Sequence, residues 1–220
     1  MRQNRQMKLR PIESNSLESS PLVLRTQRLV LRGYRAEDVA AVHRFASDPQ
    51  LSAYVEWGPN TPQDSRNFLT ACLAEKNRDP RLAYTFAITA PDGGGPAAGD
   101  PFGSVGLTVD GDAGSRGAGS PGPAATAGPT GRTGEVGYVI AADRWGRGYA
   151  TEAAAAVVQF GFNTLGLDRI SATCRPGNTA SARVLAKMGM VLQARLPAHK
   201  LIRGQREDSL LYSLCRPGNS

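Results

Sequence analysis

Two glycines, Gly146 and Gly148, alternate with two arginines, Arg144 and Arg147, ahead of a helix-like run, and together they form the chemistry-bearing stretch of this chain. The stretch reads R-W-G-R-G-Y-A-T-E-A over 144–153. It follows a strand-like run, E-V-G-Y-V-I (135–140), and opens a run rich in Ala, Val and Phe (151–162). A strand, a glycine turn and a helix in that order make an anion site, because the first amides of the helix have no intrahelical partner. Glycine also lets the backbone come close to a bulky phosphate. Arg144 and Arg147 add positive charge, so a pyrophosphate is the natural guest. The dinucleotide fingerprint needs a third glycine and a Walker loop needs a following Lys-Ser/Thr pair, and both are missing. Taken alone, the stretch also reads as a plain loop ahead of a buried helix.

The elements that must position this turn follow from periodicity. Leu29 to Leu31 open a first strand, and Ala36–Ser47 has helical spacing with acids in its first turn, stopped at Asp48-Pro49. Gln63–Arg78 reads as a second helix with Phe68, Leu69, Cys72 and Leu73 on one face. Between them, 51–62 is a looser stretch carrying Tyr54 and Trp57. Tyr84–Thr89 and Pro101–Val109 are strands. Arg169–Arg175 is another, followed by a helix over Thr179–Met188 that Gly189 ends. Val191–Leu196 and Ser209–Leu214 complete the strands, with the charged G-Q-R-E-D (204–208) as a turn.

Composition adds bounds. A chain of 220 residues suits a single domain. Its 25 glycines and 15 prolines gather in turns and in one run, 110–134, of nearly pure Gly, Ala, Ser, Pro and Thr. Such a run cannot bury enough surface to fold and reads as a flexible insertion between consecutive strands. Residues 1–20 form a polar tail with Arg2, Arg5, Lys8 and Arg10, expected to be disordered. That tail lacks an apolar signal segment, and nothing approaches the ~18 apolar residues of a membrane span, so a soluble cytoplasmic protein is expected. Cys72, Cys174 and Cys215 read as reduced, mostly buried thiols. His43 and His199 stand apart, and no metal site is expected. The net charge of +7 suits a phosphate-bearing cofactor, RNA or the ribosome equally.

W-G-R-G-Y-A-T-E-A resembles the acyl-CoA pyrophosphate loop of the GNAT superfamily of N-acetyltransferases, whose form R/Q-x-x-G-x-G/A falls on Trp145, Gly146, Arg147, Gly148, Tyr149 and Ala150. Trp145 in place of Gln or Arg is similar to the RimJ/RimL-like branch, the ribosomal-protein N-acetyltransferases and relatives. T-Q-R-L-V-L-R-G-Y (26–34), Glu37-Asp38, G-E-V-G-Y-V-I (134–140) and N-T-A-S-A-R-V-L-A-K-M-G-M (178–190) agree with that branch. The resemblance spans Thr26 to Leu214 apart from the insertion. It implies an α/β (α+β) fold, a mixed and mostly antiparallel sheet flanked by helices, with one GNAT-like domain over 21–215. Two parallel strands, 134–140 and 169–175, would splay apart.

In that arrangement the pantetheine arm of acetyl-CoA lies in the splay beside Tyr138, Val139 and Ile140, as an added strand would. The turn from Trp145 to Thr151 holds the pyrophosphate, and Asn178 reaches the pantetheine, although a helix cap explains Asn178 as well. Tyr54 and Trp57 would line the acceptor side, or else plug the core. Glu135 is the candidate base, acting through water; a solubilising glutamate is its competing reading. Many GNAT enzymes carry a tyrosine acid seven residues after the Asn, where this chain has Leu185. Ser181 is then the candidate partner of the thiol sulfur, or a helix-surface serine without a role. Glu152 reads as a first-turn residue complementing the helix dipole. The expected reaction is acetyl transfer from acetyl-CoA, or another acyl-CoA, to a primary amine in a ternary complex, without a metal. The acceptor is a protein N-terminus, ribosomal or other, or a small amine, and a homodimer is the candidate assembly. A noncatalytic acyl-CoA sensor and a basic ribosome- or RNA-binding module are the alternatives, and no nucleic-acid motif supports the second.

Overall fold

Alternation decides which face each strand residue takes. In β4 (Gly103–Val109), Val105, Leu107 and Val109 are buried on one face, while Ser104, Gly106 and Thr108 look to the other. The computed structural model describes residues 22–91, 99–110 and 131–218. The tail 1–20 and most of the run 110–134 lie outside them.

The described residues form β1 (Val23–Arg25), β2 (Val30–Arg32), α1 (Val39–Ala46), α2 (Pro49–Ser52), α3 (Pro62–Glu75), β3 (Ala83–Thr89) and β4. Then follow β5 (Thr133–Ile140), α4 (Tyr149–Asn163), β6 (Arg169–Cys174), α5 (Thr179–Lys187), β7 (Val191–Ile202) and β8 (Gln205–Cys215). They make one sheet in the order β1-β2-β3-β4-β5-β6-β8-β7, antiparallel except for β5 and β6. That parallel pair holds register only at Thr133–Arg169, Gly134–Ile170 and Glu135–Ser171. Beyond Glu135, β5 stays with β4 up to Ile140, and β6 stays with β8 up to Cys174. The two strands therefore part, and the expected splay lies between them.

Each face of the sheet has its own core. On one, α4 packs Ala153, Val157 and Phe160 over Phe86, Leu107 and Ile170. Phe160 meets the rings of Tyr84 and Phe86 edge-on, with centroids 5.3 and 6.0 Å apart. On the other, α1 and α3 pack Val42, Phe45 and Leu69 around Tyr34 and Ala87. Arg32 joins β2 to the turn before α1 through a bidentate pair with Asp38, at 2.7 and 2.8 Å, both side chains being buried. This gives Asp38, the second of the two acids noted after the first strand, a structural role.

Several boundaries differ from expectation for physical reasons. β1 precedes the expected first strand, and a three-residue strand carries too little alternation to read. α2 starts at the Asp48-Pro49 stop and runs into the stretch read as loose; Asp48 caps it by accepting from the Gln50 amide at 2.8 Å, with Pro49 in its first turn. β7 and β8 are longer than expected, and G-Q-R-E-D is largely strand rather than turn. That end of the hairpin is mostly solvated on both sides, so no hydrophobic alternation marks it. Cys174 is buried and Cys72 half-buried as expected of structural thiols, but Cys215 is exposed.

Candidate active site

The gap between β5 and β6 exposes backbone groups, and the ladder fixes which. The Ala141 amide donates to Phe102 and the Asp110 amide to Thr133, at 2.8 and 2.9 Å. With that phase, Glu135, Gly137 and Val139 turn their backbone groups to β4, and Val136, Tyr138 and Ile140 turn theirs to the gap. Of the three residues expected beside a pantetheine arm, Tyr138 and Ile140 turn their backbone groups to the gap. Val139 is turned to β4, and Val136 stands in its place.

Past Ile140 the chain makes one 3-10 turn and enters the glycine turn. Gly146 and Gly148 have φ of 74° and 79°, the left-handed region where a β-carbon is strained. Gly148 is the N-cap of α4, and no side chain caps that end. The Glu152 amide is the first to close a helical bond, to the Gly148 carbonyl at 3.1 Å. The amides of Tyr149, Ala150 and Thr151 thus precede the first helical partner and point out of the helix end. The indole N–H of Trp145 donates to the Ile140 carbonyl at 2.7 Å and hooks the turn onto the end of β5. Arg147 and Trp145 are exposed. The arrangement fits a diphosphate: a helix N-terminus with amides ahead of the first helical bond, and two glycines that leave no β-carbon at the turn.

Glu135 sits at the fork itself, the last β5 residue in register with β6. Its carboxylate accepts from the Thr173 hydroxyl at 2.9 Å, which holds it across the opening. Further along the gap, the Tyr138 hydroxyl lies 2.8 Å from Ser181 Oγ. Burial pushes the Tyr138 phenol up to about 12, against the Ser181 hydrogen bond, so it keeps its proton at neutral pH. Asn178 caps α5 by accepting from the Ser181 amide at 3.0 Å, which fixes Ser181 at the start of the helix. Cys174 borders the same place, and burial raises its thiol above the ordinary range.

These residues line one cleft of about 960 Å³ that runs through the sheet. Asn178, Ser181 and Leu185 bound it on the α5 side, and Phe45 and Phe68 on the α1–α3 side. Leu185, where the tyrosine was sought, is buried beneath it. Tyr54 and Trp57 line the far mouth, 45% and 40% exposed, so they do not plug the core. Basic side chains tie the segment after α1 to the opposite wall. Lys200 pairs with Glu56 at 2.5 Å, Arg175 donates to the Ala53 carbonyl at 2.7 Å, and Arg203 to Ser52 at 2.8 Å. His199 Nδ1 lies 3.0 Å from Ser209 Oγ; burial and then Lys200 lower its pKa, while Glu135 and Glu56 oppose them.

The structure thus brings Glu135, Tyr138, Ser181 and Asn178 together and sets the 145–151 turn at the end of the same strand. Sequence reading missed Thr173, Lys200, Glu56 and Arg175, and also Arg28, which reaches the turn from the β1–β2 connection. Their partners lie far off in the chain, and no spacing could reveal them. Glu152 is not simply a first-turn acid: it is buried and bonded to Thr26 and Arg28.

Comparison with known proteins agrees with this geometry. Residues 28–191 match the family described as Acetyltransferase (GNAT) domain. An N-acetyltransferase of unassigned role from Bacillus licheniformis, p20, is 24% identical over 193 residues, 88% of this chain and 96% of its own. The crystal structure of a GNAT-family acetyltransferase from Bacillus anthracis superposes with a TM-score of 0.66 at 25% identity, covering 88% of this chain and 98% of that one. RimL, a ribosomal L7/L12 alpha-N-protein acetyltransferase, shares the fold with a TM-score of 0.70 at 15% identity over 95% of this chain and all of its own. A splayed parallel pair, a glycine-capped helix beside it and a match over most of the chain have one reading: the protein belongs to the GNAT family of N-acetyltransferases.

Proposed function

We propose that this enzyme moves an acetyl group from acetyl-CoA to a primary amine, a protein N-terminus or a polar small amine. The observation that carries the reading is one cleft with Glu135 at its fork and the Tyr138–Ser181 pair further in. The gap-facing backbone of Val136, Tyr138 and Ile140 suits a pantetheine arm added as a strand, and the amides of 149–151 suit the diphosphate. Acetyl-CoA supplies the activated thioester carbon.

Amide formation makes a C–N bond, breaks the C–S bond, takes a proton from nitrogen and returns one to the thiolate or to solvent. An α-amine with pKa of about 8 is partly neutral at pH 7, whereas a lysine near ~10.4 is not, so the base need not be strong. Glu135, oriented by Thr173, accepts that proton through water. Ser181 donates to the sulfur. Tyr138 keeps its proton and lies 2.8 Å from Ser181 Oγ and 3.3 Å from the Ser181 carbonyl; donated to Oγ, that proton leaves the serine hydrogen for the sulfur. Thr85, Ser104 and Thr108 give the acceptor side a hydroxyl lining that favours a polar acceptor.

The test is thiol release from acetyl-CoA with peptides bearing free α-amines, polyamines and aminoglycosides. Acceptor-dependent release is expected, abolished by Gly148→Trp. Glu135→Gln should lower kcat/KM by about 10²–10³, the usual worth of a general base, with CoA affinity unchanged. Tight CoA binding without release from any acceptor would count against a transferase of this specificity.

A further inference from the structure

The connection between β1 and β2 reaches the first turn of α4 across the fold. Thr26 Oγ1 donates to Glu152 Oε1 at 2.6 Å, and the Arg28 amide adds a second bond to that oxygen at 2.9 Å. Arg28 Nε and Nη2 both lie 2.7 Å from Glu152 Oε2. Arg28 Nη1 donates to the Arg147 carbonyl at 3.0 Å, and its guanidinium stands 5.0 Å over the Tyr149 ring. The Glu152 side chain is 8% exposed and that of Arg28 is 47% exposed. One side chain therefore holds both a buried acid and a carbonyl of the glycine turn.

We propose that Arg28 is a positioning residue for the acyl-CoA diphosphate, acting through the turn; this rests on the reading of 145–151 as the diphosphate site. The Arg147 carbonyl and the Gly148 amide belong to one planar peptide and point in opposite directions. Anchoring that carbonyl on Arg28 aims the Gly148 amide away from Arg28, toward the side open to an anion. A carbonyl turned outward there would repel the diphosphate. Arg28 also neutralises Glu152, whose carboxylate would otherwise oppose an anion within the first turn of α4. Lysine can supply the charge but not the fork, because one ammonium cannot span Glu152 and the Arg147 carbonyl in the same geometry. The fork is what this site uses.

The experiment compares wild type, Arg28→Lys and Arg28→Ala. CoA affinity is read by calorimetry, KM with S-acetylpantetheine (which lacks the diphosphate), and amide hydrogen exchange over 146–151 in the free protein. Expected are CoA affinities about tenfold or more weaker in both variants, the scale of one lost charge-assisted hydrogen bond. S-acetylpantetheine KM should stay unchanged, and exchange in the turn should quicken even in Arg28→Lys. Unchanged CoA affinity, full rescue by lysine, or equal losses with both donors would overturn the proposal. Arg28→Lys keeps a cation against Glu152 and carries the test if the alanine variant does not fold. If wild type fails to bind CoA, the diphosphate reading itself fails, while exchange in the free protein still reports whether Arg28 orders the turn.

Discussion

Tyr138 shows how a side chain on one element can supply a group sought on another. The position seven residues after Asn178 holds a leucine, yet a phenol arrives at the same helix start from β5, bonded to Ser181. Its high pKa makes it a donor rather than an acid that gives up its proton, since a thiolate is the weaker base. Tyr138→Phe should therefore lower kcat by about tenfold, the cost of one lost polar contact in the transition state, with little change in CoA affinity. Ser181→Ala should cost at least as much, and the double variant little more than Ser181→Ala alone, because the phenol acts through the serine. Steady-state kinetics on the three variants checks this; additive losses would separate the two groups.

At the level of elements, the β4–β5 ladder lines the cleft, the acceptor floor of the proposed reading. Gly106 faces Gly137 across the pair, and a β-carbon at Gly137 would meet nothing within 4 Å. The space is the cleft. Gly137→Leu should fill it, raising acceptor KM at least tenfold while leaving the melting temperature unchanged or higher, since a strand tolerates the larger residue better than glycine. A fall in stability without a change in acceptor KM would contradict this. The β5–turn–α4 unit was legible because its signals are local: alternation over 135–140, glycines at 146 and 148, and an apolar helix after them. The 3-10 turn, α2 and the outer half of the β7–β8 hairpin were not, being short or solvated. Likewise, Glu135 could be placed at a strand start from sequence, but not its hydroxyl partner Thr173, 38 residues away on a parallel strand.

Across the whole molecule, Glu152 ties the first hairpin to α4 and makes stability sensitive to acid. Burial by itself would raise its pKa, but hydrogen bonds from the Thr26 hydroxyl and from Arg28 outweigh it and hold the carboxylate below its ordinary value. A folded pKa below the unfolded one gives stability that is complete above about 4.3 and lost as pH falls through the folded value. Glu152→Gln should remove that part of the acid slope and lower stability near neutrality by about 2 kcal/mol, the worth of hydrogen bonds to a charged group. Denaturant titrations at pH 7 and pH 4 test both. Parallel slopes for variant and wild type would show that other carboxylates dominate.

The chain has two tryptophans in different places: Trp57 lines the cleft, and Trp145 sits on the glycine turn before α4, hooked to the end of β5. Both are about half exposed, so the emission of each responds to what covers it. Trp57→Phe leaves a single tryptophan at the glycine turn, and Trp145→Phe leaves one at the cleft, so each variant reports on one place. On the proposed reading each substrate then has its own optical reporter, and stopped-flow on the two variants reads the order of binding without a label.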